Sequence, residues 1–271
     1  MKPKIWIGIL TGLLLLFLIP PVKGKEFSAN ILQEPLPGKA LELDIPLLES
    51  ISKQPFSYLN QGREAAAFVS TDGNYVLKVF FKKRVYDPRL PLTLLHWLNI
   101  PKKIKNWARF GNVKFITRKN TLKTYEAGFA HLQSEAGLVA VSVRPPKEPL
   151  PTYTVTDRNG NKHQIDLNQT AFVLQKKARL LSEGIHPNEI DRIKEQLQTL
   201  LTTFYEKGFR KNVDEFKPCN YAFLEDHVVI IDLGDIKYRP GRPKHYQQKP
   251  KAVLESYTKW ANSTLSAKKE P

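Results

Sequence analysis

Asn220 and Asp232 stand twelve positions apart, on either side of the apolar run Val228-Val229-Ile230-Ile231. The stretch between them reads as a short hairpin, which brings an amide and a carboxylate to its two ends. That donor pair suits Mg²⁺, a hard cation that takes oxygen ligands and commonly carries nucleotide phosphates on its remaining positions. Asp232 closes an apolar strand, where a carboxylate is costly unless it serves a metal or accepts several hydrogen bonds. Gly234 permits the sharp turn that follows, and a plain strand-ending turn at Asp232-Leu233-Gly234-Asp235 is the alternative reading. The preceding Lys217-Pro218-Cys219-Asn220 favours the cation site. Upstream, Lys78 interrupts the apolar strand Tyr75-Val76-Leu77-Lys78-Val79-Phe80. A lysine in that setting either meets an anion, as half of a phosphate clamp, or lies on an edge strand and reaches water along its stem.

The elements that must position these residues follow from hydrophobic periodicity. The β-rich half begins at Phe56, with Asn60-Gln61-Gly62 between apolar stretches and Asp72-Gly73-Asn74 as a two-strand turn signal. Residues 121–136 have helical spacing, with Leu122, Tyr125, Phe129 and Leu132 on one face. Residues 138–143 read as a strand. Asp157-Arg158-Asn159-Gly160-Asn161 reads as the turn of another hairpin, and residues 171–175 as a further strand. A helical half then opens at Asn188-Glu189-Ile190, where Ile190, Ile193, Leu197, Leu200, Leu201 and Phe204 share a face up to Gly208. The last helix is expected over residues 251–263. Strands first and helices later give an α+β architecture of two lobes, with the ligand in the crevice between them. The expected division is 1–25 as a targeting segment, 26–50 as a linker, 51–180 as a β-rich lobe with a basic insertion at 82–120, and 181–271 as a reduced helical lobe.

In order and spacing these pieces resemble the protein-kinase-like superfamily over residues 56–240. That family orders its parts as Gly-rich loop, strand lysine, helix glutamate, catalytic loop and metal-binding Asp. The resemblance implies that Lys78 binds the phosphates of ATP and that Asn220 and Asp232 hold Mg²⁺. Leu59-Asn60-Gln61-Gly62-Arg63-Glu64-Ala65 then looks like a degenerate Gly-rich loop that retains only Gly62. Glu126 is the candidate partner of Lys78, with Glu135 as the competing choice. Gln175, Lys176 and Ala178 fall where the family's hinge backbone meets adenine. The family's base is an Asp five residues before the Asn, a register held here by Glu215, with Asp214 one position earlier. Glutamate is one methylene longer, and such a misplacement can lower a rate by about a hundredfold. A one-residue bulge would bring Asp214 into that place instead. A nucleotide-binding pseudokinase therefore stands beside a phosphotransferase. After Asp232 too few residues remain for a full protein-substrate platform, so the chain is closer to small atypical or small-molecule kinases.

Composition sets the outer bounds. The 271-residue chain is 41% hydrophobic and carries a net charge of +16. The excess of positive charge points to an anionic partner. Cys219 is the only cysteine, which excludes an intramolecular disulfide and a cysteine-based zinc site. Residues 5–19 form an almost wholly apolar run behind Lys2 and Lys4 and before Pro20-Pro21, the pattern of a signal peptide or an uncleaved membrane anchor. An exported or membrane-tethered location follows, and export carries the chain away from cytoplasmic ATP. In the insertion, Trp97, Ile100, Ile104 and Trp107 make an apolar stripe among lysines. That pattern suits an interfacial helix on an anionic membrane, or packing on the β lobe with the lysines solvated. A protein partner is the other expectation for this surface. No nucleic-acid module is visible. An unrelated secreted α+β module is the remaining reading.

Overall fold

The computed structural model describes residues 27–28, 31–62, 64–82, 117–211, 215–234, 236–241 and 249–267. The targeting segment, Asp214 and the tryptophans of the basic insertion lie outside the described residues. Among the described residues, no helix is long and apolar enough to cross a membrane.

The β-rich half centres on three successive antiparallel strands, β1 (Phe56–Gln61), β2 (Ala65–Ser70) and β3 (Tyr75–Phe80). Gly73 makes the β2–β3 turn at φ +75, a backbone conformation that glycine adopts without strain. The helix α2 (Thr117–His131) then leads to β4 (Leu138–Ser142). The hairpin β5 (Thr152–Thr156) and β6 (Lys162–Asp166) follows, and then β7 (Phe172–Lys176). Together these strands form one seven-stranded sheet in the order β4-β7-β3-β2-β1-β5-β6. β3 is therefore interior, flanked by β2 and β7, which removes the edge-strand explanation of Lys78. The β5/β6 hairpin joins the far end of the sheet through a parallel pairing of β5 with β1.

Residues of the expected linker join this sheet. Gln33 donates its N–H to Phe80 O (2.6 Å) and accepts from Ala171 N (2.7 Å). The short helix α1 (Ile45–Ser52) buries Leu48 and Ile51, and the Tyr153 hydroxyl donates to Leu48 O at 3.0 Å.

The second half carries β8 (Arg179–Leu180), the helix α3 (Ile190–Glu206), β9 (Phe209–Lys211), the hairpin β10 (Tyr221–Leu224) and β11 (His227–Ile230), β12 (Ile236–Tyr238) and the helix α4 (Lys249–Ala267). The face expected of α3 is the one it buries, through Ile193, Leu197, Leu200, Leu201 and Phe204. The helix stops before Gly208 at φ +83, where a Cβ would lie 3.0 Å from the Pro240 backbone. The class is α+β, with the β-rich half first and the helical half second. One core runs through both, joining Phe80, Val141 and Val173 of the sheet to Leu197, Tyr221, Ile230 and Tyr257. Each large apolar side chain fully buried there stabilises by about 1.5–3 kcal/mol.

The Asn159-Gly160 turn forms as expected, and its anchor is the buried Asp157. This carboxylate accepts from Asn159 N and Asn161 N, both at 2.9 Å, and faces His163 Nε2 at 2.8 Å. Burial pushes its pKa up, but the His163 and Asn161 hydrogen bonds outweigh burial and bring it down to about 2. A carboxylate with a depressed folded pKa stabilises above its unfolded pKa of about 3.9 and loses that contribution as pH falls through the folded value. In acid denaturation, the stability advantage of the wild type over Asp157→Asn should shrink between about pH 4 and 2. An advantage that stays constant across that window would assign the turn's stability to its backbone alone.

Candidate functional site

Pro218 opens a short 3₁₀ turn, Pro218–Asn220, that leads into β10. Asn220 is buried there, its N–H donating to Lys217 O at 2.9 Å. The β10/β11 register pairs Tyr221 with Ile230, so Asn220 falls opposite Ile231 at the open end of the hairpin. Ile231 N–H donates to Asn220 O at 2.9 Å, and Asp232 is the next residue. Asn220 and Asp232 are thus brought to one end of the hairpin, as their spacing implies.

Lys78 reaches the same place from the middle of the large sheet. Its ammonium donates to Ile231 O, across 153 positions of sequence. Burial lowers the lysine's pKa, and the nearby Asp232 charge pulls it back up. Asp232 Oδ1 accepts from Gly234 N at 2.8 Å, which caps the turn and orients the carboxylate.

Helix α2 closes the site from the other side. Tyr125 is 2% exposed, and its ring meets Phe80 of β3 edge-on with centroids 5.5 Å apart. Its hydroxyl accepts from Leu233 N at 3.4 Å, next in the chain to Asp232. Burial, with the Asp232 and Glu64 charges adding to it, raises the phenol's pKa well above its ordinary value, so it remains a proton donor. Glu64 comes from the β1–β2 turn, where its Oε2 accepts from Thr121 Oγ1 at 3.3 Å. A Cβ placed on Gly234 would lie 3.0 Å from Asp232 Oδ1 and 3.9 Å from Glu64 Oε2, so the two carboxylates flank that glycine.

The remaining expected residues separate into those near this cluster and those directed elsewhere. Ala178 packs with Leu180 and Ile231 around Ala222, Leu224 and Val229, which sets the sheet-to-sheet connection beside the Ile231 peptide. The Gln175 side chain is buried and donates to Ala136 O at 2.9 Å. Lys176 spends its N–H on Gly137 O (2.8 Å), and its side chain is exposed near Glu225. Gly62 donates its N–H to Ala65 O at 2.9 Å and closes the β1–β2 turn. Neither Asn60 nor Gly62 uses a positive φ, so this turn does not need the conformational freedom expected of them. Glu215 is exposed, just before Phe216, whose N–H is held by Ser256 Oγ at 3.1 Å.

Glu126 is directed away from Lys78. Its two oxygens accept from Arg144 Nε (2.9 Å) and Nη2 (2.8 Å), a bidentate pair that ties α2 to the end of β4. Glu135 pairs with Lys207 at 2.6 Å. The helix places Tyr125 rather than Glu126 toward the site, because neighbouring positions are rotated by about 100°. Tyr125 was legible only as a core residue and Glu64 only as a loop residue. The one available sign was a hydroxyl-bearing side chain inside an otherwise apolar face.

The donor set fits Mg²⁺ carried by phosphates better than Mg²⁺ held by protein alone. Among the described residues, no group of three or more His, Cys, Asp or Glu is placed to hold a metal. One amide and one carboxylate leave most of an octahedron to water and phosphate oxygens, the usual arrangement for this ion.

No family's sequence model matches the chain, and no curated protein matches it by sequence. Solved structures similar in layout include WbdD, at 20% identity and a TM-score of 0.37, covering 80% of this chain and 42% of that one. Rio2 kinase from Chaetomium thermophilum, in an ADP/Mg²⁺-phosphoaspartate complex, is similar at 11% identity and a TM-score of 0.41, covering 82% and 59%. WaaP in complex with acyl carrier protein is similar at 12% identity and a TM-score of 0.38, covering 81% of each. The chain therefore spans less than two thirds of the length of WbdD and of Rio2 kinase. Any functional assignment rests on the site's own geometry.

Lys78→Met tests whether the lysine is there for stability. The substitution removes a desolvated charge and one hydrogen bond while keeping most of the stem's volume, so the unfolding free energy should stay within about 1.5 kcal/mol of wild type. Urea denaturation reads this directly. A loss above about 3 kcal/mol would make the ammonium a structural anchor rather than a ligand group.

Proposed function

We propose that this chain binds a nucleoside triphosphate with Mg²⁺ between the large sheet and the β10/β11 hairpin, and that it is a phosphotransferase. The observation that carries the reading is that the Lys78 ammonium reaches the Ile231 carbonyl, while the Asn220 backbone carbonyl accepts from Ile231 N–H and Asp232 follows in the chain. An interior-strand ammonium, lowered in pKa by burial, is a poor stabiliser and a good phosphate ligand, since phosphate oxygens return the solvation it lacks. Asn220 and Asp232 supply oxygen to the cation, and Gly234 N–H holds one carboxylate oxygen in place. When bound, the cation neutralises charge on the β- and γ-phosphates. Ala178 and Ile231, on one apolar patch, offer the base a dry surface next to the phosphates. Asp214 or Glu215 is the proton acceptor in this proposal.

Binding without turnover is the second reading, and one observation favours it. Glu126 and Glu135 are both committed to other cations, so Lys78 lacks the helix carboxylate that orients it in the family pattern. An exported or tethered location and an anionic membrane or protein partner belong to the same proposal. They rest on residues 1–25 and 82–120.

Thermal unfolding with ATP and Mg²⁺ tests the binding. Ligand at 100 times its dissociation constant adds about 2.7 kcal/mol, which corresponds to roughly 5–10 °C for a domain of this size. Asp232→Ala should abolish the Mg²⁺-dependent part of that shift. No shift at millimolar ATP and Mg²⁺ would end the nucleotide reading. Phosphate transfer that survives Asp232→Ala would rule out the mechanism while leaving binding intact.

A further inference from the structure

The ribbon formed by β9 and β12 has two unlike faces. Its antiparallel register sets Phe209 opposite Tyr238 and Arg210 opposite Lys237, and Arg239 N–H extends the ladder to Gly208 O at 2.8 Å. Side chains alternate along a strand, and residues directly opposite share a face. One face therefore carries Phe209, Ile236 and Tyr238, which pack on the main core, with the Phe209 and Tyr238 ring centroids 4.8 Å apart. The other carries Arg210, Lys237 and Arg239, and neither strand contains an acid. Lys237 and Arg239 are exposed, while Arg210 is only 6% exposed. Like charges directly opposite one another cost stability, so folding by itself does not call for this face.

The ribbon is joined to the candidate site through both of its strands. Ile236 N–H donates to Leu233 O at 3.1 Å, beside Asp232, and Ile236 O accepts from Thr124 Oγ1 at 3.1 Å. The other strand ends at Lys211, four positions before Glu215. The basic face thus lies between the segment expected to hold the cation and the segment expected to hold the base.

We propose that this face binds a phosphate group of the acceptor, so that the substrate is a phosphate-bearing small molecule. Lys237 and Arg239 reach solvent and make the contacts, a point-charge ammonium and a guanidinium fork that matches phosphate oxygens. Arg210 beneath them adds a fixed positive charge. Strands of three residues span about 10 Å, the size of one phosphorylated group rather than of a membrane footprint. The acceptor role rests on the phosphotransferase reading, whereas the anion site itself does not.

The test uses the full chain in EDTA with inorganic phosphate as the probe, its binding followed by phosphorus NMR. Wild type is compared with the paired charge reversal Lys237→Glu and Arg239→Glu, and with Lys78→Met. The reversal should lower phosphate affinity by about tenfold or more, and Lys78→Met should change it by less than about twofold. The neutral pair Lys237→Gln and Arg239→Gln should lose binding in the same direction. No binding by wild type, or undiminished binding by the reversed pair, would overturn the proposal. So would a loss confined to Lys78→Met, which would put the phosphate in the nucleotide site. Vesicles of phosphatidylcholine with phosphatidic acid serve as the second arm. Vesicle binding that depends on the ribbon charges, without soluble phosphate binding, would assign the face to a membrane and overturn the proposal. The reversed pair should unfold within about 2 °C of wild type or above it, and a fall of more than about 5 °C would make the face structural. ATP with Mg²⁺ should still stabilise the reversed pair as it does wild type. If wild type shows no such stabilisation, the phosphotransferase reading fails, while a phosphate site that disappears with the ribbon charges stands on its own.

Discussion

The backbone of a single residue, Ile231, carries the connection between the two halves of the site. Its N–H donates to Asn220 O, and its carbonyl accepts from the Lys78 ammonium. The lysine stands on an interior strand and is half-buried, where desolvation of its ammonium is costly. A backbone carbonyl dipole and the Asp232 charge meet part of that cost. The same interactions bring the strand, the 3₁₀ turn and the residue after the hairpin into register. Replacing the arrangement with apolar packing would be easier for folding alone, and this contrast is what singles the cluster out as the candidate site.

Helix α2 divides its labour by face. Charged residues reach outward, where the bidentate Glu126–Arg144 pair fastens the helix to the sheet edge. Hydroxyl groups and a glycine turn inward, Thr121 meeting Glu64 while Thr124, Tyr125 and Gly128 meet Ile236 and Leu233. Burying a second ion pair beside Lys78 and Asp232 would add desolvation that Coulomb attraction seldom repays. Threonine and tyrosine supply directional contacts at much lower cost. The site therefore sets one half-buried ammonium and two carboxylates on supports that are themselves neutral.

Much of the fold was legible because it depends on local pattern. The apolar run of β3 around Lys78, the Asp72-Gly73-Asn74 and Asn159-Gly160 turns, and the apolar face of α3 all form where hydrophobic pattern and turn chemistry put them. The same holds for the Asn220–Asp232 spacing, since a hairpin with a tight turn carries its ends together wherever it sits. Glu126 was harder to read. Its neighbour Tyr125 faces the site and it does not, and no single-sequence pattern announces that Arg144, eighteen positions on, offers a fork of matching geometry. The stretch before α1 shows a related difficulty. Leu32 to Leu36 looks like linker because its backbone pairing with Phe80, Ala171 and Val143 leaves no mark in composition.

The amino-acid sequence by itself determined which groups are available for chemistry and the order in which the chain presents them: a lysine inside an apolar strand, then an amide and a carboxylate framing a hairpin. It determined the α+β class as well, because strand and helix periods are local properties of the chain. Tertiary structure alone decided that Lys78 faces Ile231, that Tyr125 meets the Leu233 amide beside Asp232, and that Glu126 turns away to Arg144. Those outcomes depend on helix rotation and strand order, which are set by packing between segments distant in sequence. A shift of one residue in α2 would exchange a phenol for a carboxylate at the site.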